Sequence, residues 1–187
     1  MEEINNPRIA NNPRMATNVI HEWQRIAMDF IVFVGISLLF VGIGGVKAAQ
    51  AASLYFSPSS GSQRVGQVFP VGVYIASTET AMNAVSGVIS FPADILEITS
   101  LAKSGSIISL WVAEPSLSNA VGIVSFEGII FNPGYTGSAG KIFTINFKAK
   151  AIGSAAIVFT NGSVLANDGK GTNILSELGS ARFAVAV

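Results

Sequence analysis

The chain has 187 residues and no net charge, because 11 lysines and arginines balance 11 aspartates and glutamates. The sequence has no cluster of lysines and arginines that could bind a phosphate backbone, so nucleic-acid binding is not expected. The sequence has no cysteine and one histidine, His21, and its later carboxylates form no recognisable pair, so we expect a non-catalytic protein without cofactor or metal.

The first predicted element is a cytoplasmic leader, residues 1–29, which we expect to be disordered and then helical. Residues 30–51 follow, and they carry no charge from Phe30 to Val46. At a rise of about 1.5 Å per residue, such an apolar helix spans most of a hydrocarbon core of about 30 Å. Ala49-Gln50-Ala51 offers a cleavage site, so the segment is either a signal peptide or a membrane anchor. Both alternatives predict a secreted or cell-surface protein.

Residues 52–187 alternate apolar and polar side chains with a period of two, which is typical of β-strands. Strands are predicted at 54–56, 68–76, 83–91, 96–100, 107–112, 122–130, 141–150, 155–160, 163–166 and 182–187. In the strand at 68–76, alternation places Phe69, Val71, Val73 and Ile75 on one apolar face. Turn signals separate them, among them Pro92, Glu114-Pro115 and the stretch 132–138. Nine or ten short strands predict an all-β, antiparallel jelly-roll sandwich of about nine strands, preceded by an N-terminal hydrophobic helix.

Four segments of this body resemble cohesin domains in their order and spacing. They are Ser57-Pro58 with the following Val65–Val71, the strand, turn and strand of Asn83–Leu101, Gly122–Phe126, and Gly140–Ala149. The resemblance implies a nine-stranded jelly roll that holds a small, calcium-loaded dockerin module against one sheet face. It implies that the chain is an exported, non-catalytic module that docks a protein partner.

The resemblance also indicates which strand faces the partner. Cohesins often carry Asn and Asp two residues apart on the strand that precedes the turn, and the matching positions here are Ala84 and Ser86. The polar pair is therefore missing, which implies a contact surface that is less polar and carries less charge. Alternation places Val88 and Ser90 on the same side of the strand, so all four residues are candidates for partner binding.

Two further candidates lie outside that strand. Glu127 is in the middle of the strand at 122–130 and faces either solvent or a partner. Tyr135 lies in the turn-rich stretch at 132–138, where a tyrosine either binds a ligand or packs over the base of its loop. Both are included among the predicted partner-binding residues.

Three other features favour structural roles. Trp111 has apolar neighbours, so a place at the core or its edge is favoured over stacking on a sugar. The stretch 166–173 contains oxygen-bearing side chains and glycines but one carboxylate, which favours a structural turn over a calcium loop. Asn161-Gly162-Ser163 matches the acceptor pattern for N-glycosylation.

Three functions remain open at this point. The first is a module that docks a dockerin-like protein, the second is a carbohydrate-binding module in polysaccharide binding or degradation, and the third is a structural component of the cell envelope. A row of exposed aromatic residues would favour polysaccharide, whereas a flat face rich in Ser, Ala and Val favours a protein partner. A membrane contact through the N-terminal segment belongs to the anchored alternative.

Overall fold

The computed structural model describes residues 51–187. The predicted leader, and the apolar segment up to residue 50 with its predicted helix, lie outside the described residues. Within the described part the fold is all-β, and no helix there is long and apolar enough to cross a membrane. The strands are β1 Ala52–Ser57, β2 Ser60–Arg64, β3 Val68–Ser90, β4 Leu96–Ala102, β5 Leu110–Ser118, β6 Ile123–Ile129, β7 Tyr135–Ala149, β8 Gly153–Ala166, β9 Leu175–Leu178 and β10 Ser180–Ala186.

The long strand β3 organises the fold because its two halves pair with different neighbours. Residues 68–77 lie between β1 and β7, whereas residues 82–90 lie between β6 and β8. We call the array β9–β1–β3–β7–β4 the back sheet and the array β5–β6–β3–β8–β10–β2 the front sheet. The two sheets are thus joined through the hydrogen bonds of one shared strand.

The two sheets pack face to face around an apolar core, as the alternation predicts. Stacked or tilted rings join them: Phe56 lies 4.5 Å from Phe159 and Phe69 lies 4.9 Å from Phe183, measured between ring centroids. Phe143 of the back sheet is fully buried and makes an edge contact with a front-sheet ring, Phe126. Burying one such side chain stabilises the fold by about 1.5–3 kcal/mol, so these contacts hold the outward faces in place.

The structure differs from the predicted strands most clearly in β3. We predicted separate strands at 68–76 and 83–91, because the polar residues between them read as a connection. Instead the strand bends and continues, with irregular pairing between Ser77 and Met82. The buried Ser77 hydroxyl donates a hydrogen bond of 2.6 Å to the carbonyl oxygen of Thr80, which satisfies the polar group inside the bend.

Edge strands account for the other differences. Glu114-Pro115 does not end its strand, since β5 runs on to Ser118; β5 is an edge strand, where a proline without an N–H is tolerated. The short strands β2 and β9 lack apolar alternation and were not predicted. They pair in parallel with β10 and β1, so the fold is not purely antiparallel as we expected.

Two other boundaries also moved. The predicted strands at 155–160 and 163–166 form the single strand β8, and the turn-rich stretch at 132–138 already belongs in part to β7. The predicted core faces are confirmed, since Val71, Val73 and Ile75 are fully buried.

Candidate partner-binding face

The pleat of the front sheet turns one side of each strand away from the core. In β3, Val85 and Ile89 are buried, so the alternating residues Ala84, Ser86 and Val88 point outward. The register places Ser86 opposite Glu127 of β6 on one side and Ser163 of β8 on the other. Directly opposite residues share a face, so these strands form one continuous outward surface.

We call this surface the front face. It comprises the outward side chains of four neighbouring strands: Asn161, Ser163 and Leu165 of β8; Ala84, Ser86, Val88 and Ser90 of β3; Ile123, Ser125, Glu127 and Ile129 of β6; and Leu110, Ala113 and Ser116 of β5. Five of the six predicted partner-binding residues are therefore brought together on it. Their role in binding stays a prediction.

The small side chains of β3 leave two shallow depressions on the front face. The larger, of about 260 Å³, is lined among others by Val88, Ser125 and Asn161. The smaller, of about 50 Å³, is lined among others by Ala84. Ser86 and Glu127 line both depressions, so these two residues lie at their shared border. A partner that contacts this border reaches both depressions.

Glu127 is the one ionisable side chain of the front face. It is exposed, and the ion pairs within residues 51–187 join other groups, Lys103 with Glu114 and Lys148 with Glu97. An exposed carboxylate surrounded by small neutral groups favours a cation on the partner and sets the orientation of approach. The rest of the face supplies shape and apolar contact instead of charge.

Two large apolar side chains lie at the β5 side of the front face. Leu110 lies opposite Ile129 and is 51% exposed, and Phe131 follows at 60% exposed. The sequence reasoning missed these residues, because Leu110 belongs to a short apolar run without clear alternation. It also did not place Asn161 on this surface, where the side chain is exposed. Large exposed apolar side chains next to a flat sheet mark an interaction surface more often than isolated ones do.

Tyr135 lies apart from the front face. It pairs with Met82, which is fully buried, and its ring packs against the hydrophobic core. Its hydroxyl oxygen accepts a hydrogen bond of 3.2 Å from the backbone N–H of Ala139, four residues along its own strand. This geometry corresponds to the packing alternative at the base of the loop.

Trp111 also packs on the core side. It lies opposite Gly128, and its ring makes an edge contact with Phe143 at 6.3 Å between centroids. A side chain at Gly128 would press against Ile108, so the glycine leaves room for this part of the core edge. The position agrees with the core-edge role that the sequence favours.

The stretch 166–173 forms a turn held by its own carboxylate. Asp168 accepts a hydrogen bond of 2.8 Å from the backbone N–H of Lys170 and another from the hydroxyl of Thr172. The bond from Thr172, followed by that from Lys170, lowers the pKa of Asp168 below its ordinary value. Among residues 51–187, no three His, Cys, Asp or Glu side chains come together as metal ligands.

Comparison of the chain with solved structures supports the fold, whereas comparison of its sequence finds no match. No protein-family model matches the sequence, and no curated protein matches it. Solved cohesin structures do match. A non-cellulosomal cohesin from the archaeon Archaeoglobus fulgidus is 16% identical, with a TM-score of 0.58 over 73% of this chain and 92% of that chain.

Two bacterial structures give the same result. A chain of the type I cohesin–dockerin complex Coh-OlpA–Doc918 from Clostridium thermocellum is 14% identical, with a TM-score of 0.59 over 73% of this chain and 99% of that chain. The cohesin module of a family 33 glycoside hydrolase from Clostridium perfringens is 12% identical, with a TM-score of 0.56 over 72% and 95%. The described part of the chain therefore has a cohesin-like fold, as the sequence resemblance predicts.

Proposed function

We propose that the cohesin-like domain is a non-catalytic docking module that holds a dockerin-type protein on the front face. The observation that carries the proposal is the front face itself, a broad surface on four hydrogen-bonded strands with one charge and two depressions. Several structural neighbours are cohesins crystallised with dockerins, which supports the same class of partner for this fold.

The physical character of the front face fits protein docking. Its strands are rigid, so little conformational entropy is lost when a partner binds. The front face carries one charged side chain, Glu127, and exposes large apolar side chains at Leu110 and Phe131, in keeping with the depletion of charge that protein interfaces show. Glu127 then discriminates between partners by charge, since a partner with an acidic group at that point is repelled.

A binding experiment on the full-length chain tests the proposal. The probes are calcium-loaded dockerin domains encoded in the same genome, together with Doc918, and binding is measured by calorimetry with calcium and with EDTA. We expect calcium-dependent binding by at least one probe. If none of the dockerins binds in calcium, the proposal is wrong.

A pair of variants then locates the contact. Ser86→Lys places a long cation at the shared border of the two depressions, and we expect it to weaken dockerin binding at least about tenfold, or about 1.4 kcal/mol. Thr144→Lys makes the same change on an outward position of β7 in the back sheet, and it should leave dockerin affinity unchanged. Equal loss in both variants would place the contact elsewhere.

We further propose that the module works outside the cytoplasm, at the cell surface or in secreted form. The uncharged segment Phe30–Val46, preceded by three arginines, supports this location. Fractionation of cells that produce the chain, with an immunoblot against residues 52–187, tests it. Recovery in the cytoplasmic fraction alone would contradict the proposal.

A further inference from the structure

The outward side of the back sheet has a chemistry that the docking function does not use. We call it the back face and define it by the outward side chains of three neighbouring strands: Tyr55 of β1; Val68, Pro70 and Tyr74 of β3; and Lys141, Thr144, Asn146 and Lys148 of β7. It lies on the far side of the core from the front face. The two surfaces can therefore be occupied at the same time.

Two tyrosines form an aromatic surface on the back face. Tyr55 and Tyr74 lie directly opposite each other in register, with ring centroids 5.5 Å apart and ring planes within 19°. Both side chains are half-buried, so each ring keeps part of its surface in solvent. Because the two rings stack on each other, the parts that they leave exposed adjoin and form one aromatic patch.

The rings are held in this position without a ligand. The Tyr55 hydroxyl donates a hydrogen bond of 2.9 Å to the carbonyl oxygen of Ser138 in β7, which fixes the outer end of its ring. Tyr74 lies over Gly72, and a Cβ at that position would collide with the tyrosine ring. Glycine inside a strand weakens the strand but permits close approach. Here it lets the Tyr74 ring lie against the sheet.

The aromatic patch extends along β3 as an apolar stripe. Val68, which is 55% exposed, and Pro70, also exposed, continue the line of outward residues that ends at Tyr74. At about 3.3 Å per residue the stripe is on the order of 20 Å long. This length accommodates several sugar rings in a row.

A polar stripe runs beside the apolar one on β7. Asn146 lies opposite Pro70 and Thr144 lies opposite Gly72, so an amide and a hydroxyl group border the middle of the apolar line. Its two ends lie opposite lysines, Lys148 beside Val68 and Lys141 beside Tyr74. Asn146 already donates to the Ser100 hydroxyl at 2.8 Å, which orients its amide. Lys148 is paired with Glu97 at 3.1 Å, so its charge is offset.

We propose that the back face binds a linear oligosaccharide made of pyranose rings. A pyranose has apolar C–H faces and a polar edge of hydroxyl groups. Its faces can stack on Tyr55 and Tyr74 while its hydroxyls exchange hydrogen bonds with Asn146 and Thr144. A mostly apolar surface with a few fixed polar groups is the usual composition of a small-ligand site. The domain then joins a glycan on one face to a protein on the other.

Calorimetry on the full-length chain tests the proposal with three soluble probes: cellohexaose, xylohexaose and mannohexaose. We expect at least one to bind and to perturb the tyrosine absorbance. Tyr74→Ala should weaken that binding at least about tenfold, because one stacking ring is lost, whereas Tyr74→Phe should retain it. Asn146→Ala, which leaves both rings in place, should weaken it less.

Two controls separate this proposal from the docking function. Ser86→Lys on the front face should leave oligosaccharide binding unchanged, and loss of dockerin binding has no bearing on it. Circular dichroism confirms that each variant is folded. The proposal is overturned if none of the three hexasaccharides binds, if binding survives in a Tyr55→Ala, Tyr74→Ala double variant, or if the face binds an extended proline-rich peptide and no sugar.

Discussion

The front and back faces are built on the same strand and yet differ in chemistry. On the front face β3 presents Ala84, Ser86 and Val88, whose side chains are small and uncharged. On the back face the same strand presents Pro70 and Tyr74, and the neighbouring β7 supplies amide and hydroxyl groups. The inward residues of both halves are equally apolar, because the shared core constrains them. Outward residues carry no such constraint, so each half of a strand can specialise for a different partner.

The largest effect is expected where both faces depend on one contact. Phe143→Ala removes a fully buried ring that touches both Phe126 and Trp111 of the front sheet. The lost burial and the cavity together should lower the free energy of unfolding by about 3–5 kcal/mol, measured by urea denaturation. Phe131→Ala is the matched control, since that ring is 60% exposed, and it should change stability by less than about 0.5 kcal/mol. Similar losses in the two variants would show that Phe143 does not bridge the sheets.

A smaller effect is expected from a glycine of the front sheet. A Cβ at Gly87 would lie 2.7–2.8 Å from ring carbons of Phe126, and that ring is buried and packs against Phe143. Gly87→Ala should therefore lower the free energy of unfolding by about 1–3 kcal/mol through overpacking. Thermal unfolding monitored by circular dichroism provides the measurement, and an unchanged Tm would contradict the close packing.

Gly72, the corresponding glycine of the back sheet, should affect ligand binding more than stability. Gly72→Ala also collides with a ring, but Tyr74 is half-exposed and can turn toward solvent. We expect a stability change below about 1 kcal/mol together with a loss of oligosaccharide affinity of about tenfold, because the Tyr55–Tyr74 pair is disturbed. Stability is measured as for Gly87→Ala and affinity by calorimetry. A destabilisation as large as that of Gly87→Ala would erase the difference between the two faces.

The smallest effect is expected in the turn at 166–173, which belongs to neither face. The pKa of Asp168 is lowered mainly by the Thr172 hydroxyl, so its contribution to stability is present above the ordinary carboxyl pKa of about 3.9. That contribution is lost as the pH falls through the lowered folded value. Thr172→Val should therefore be slightly less stable than the native chain at neutral pH, with a difference that shrinks as the pH falls below the ordinary carboxyl pKa. Urea denaturation at several pH values measures it, and a difference that grows toward acid pH would contradict the sign.

The sequence predicted the buried residues of the fold far better than its sheet edges and strand connections. Alternation identified Val71, Val73 and Ile75 as core residues, and the cohesin-like order of segments predicted the fold, because burial acts on every second residue. The strands that it missed, β2 and β9, are held by backbone pairing at sheet edges and have no apolar pattern to detect. The continuity of β3 was missed for a related reason, since its bend depends on the Ser77–Thr80 hydrogen bond and not on hydropathy.

The candidate sites show the same limit. Ala84, Ser86 and Val88 were placed on one side of their strand correctly because alternation is a local property of a strand. That Glu127 lies beside Ser86 follows instead from the register of β3 against β6. The pairing of Tyr55 with Tyr74 depends on the register of β1 against β3, and Leu110 joins the front face through the register of β5 against β6. Such registers bring together residues far apart in the chain. Alternation in the sequence predicts which side of its strand a residue faces. It does not predict which residue lies beside it on the next strand.

The shared strand β3 also has a consequence for the dynamics of the domain. Its backbone bonds to four other strands, and the inward side chains of both its halves belong to one core, so we expect the two sheets to open together. The domain should therefore lack partly open states in which one face has melted and the other persists. Amide protons at both ends of β3, near Val71 and near Val85, should exchange with solvent at the same rate and only through global unfolding. Native-state hydrogen exchange measures this, and a ligand bound to either face would slow the exchange of both ends equally.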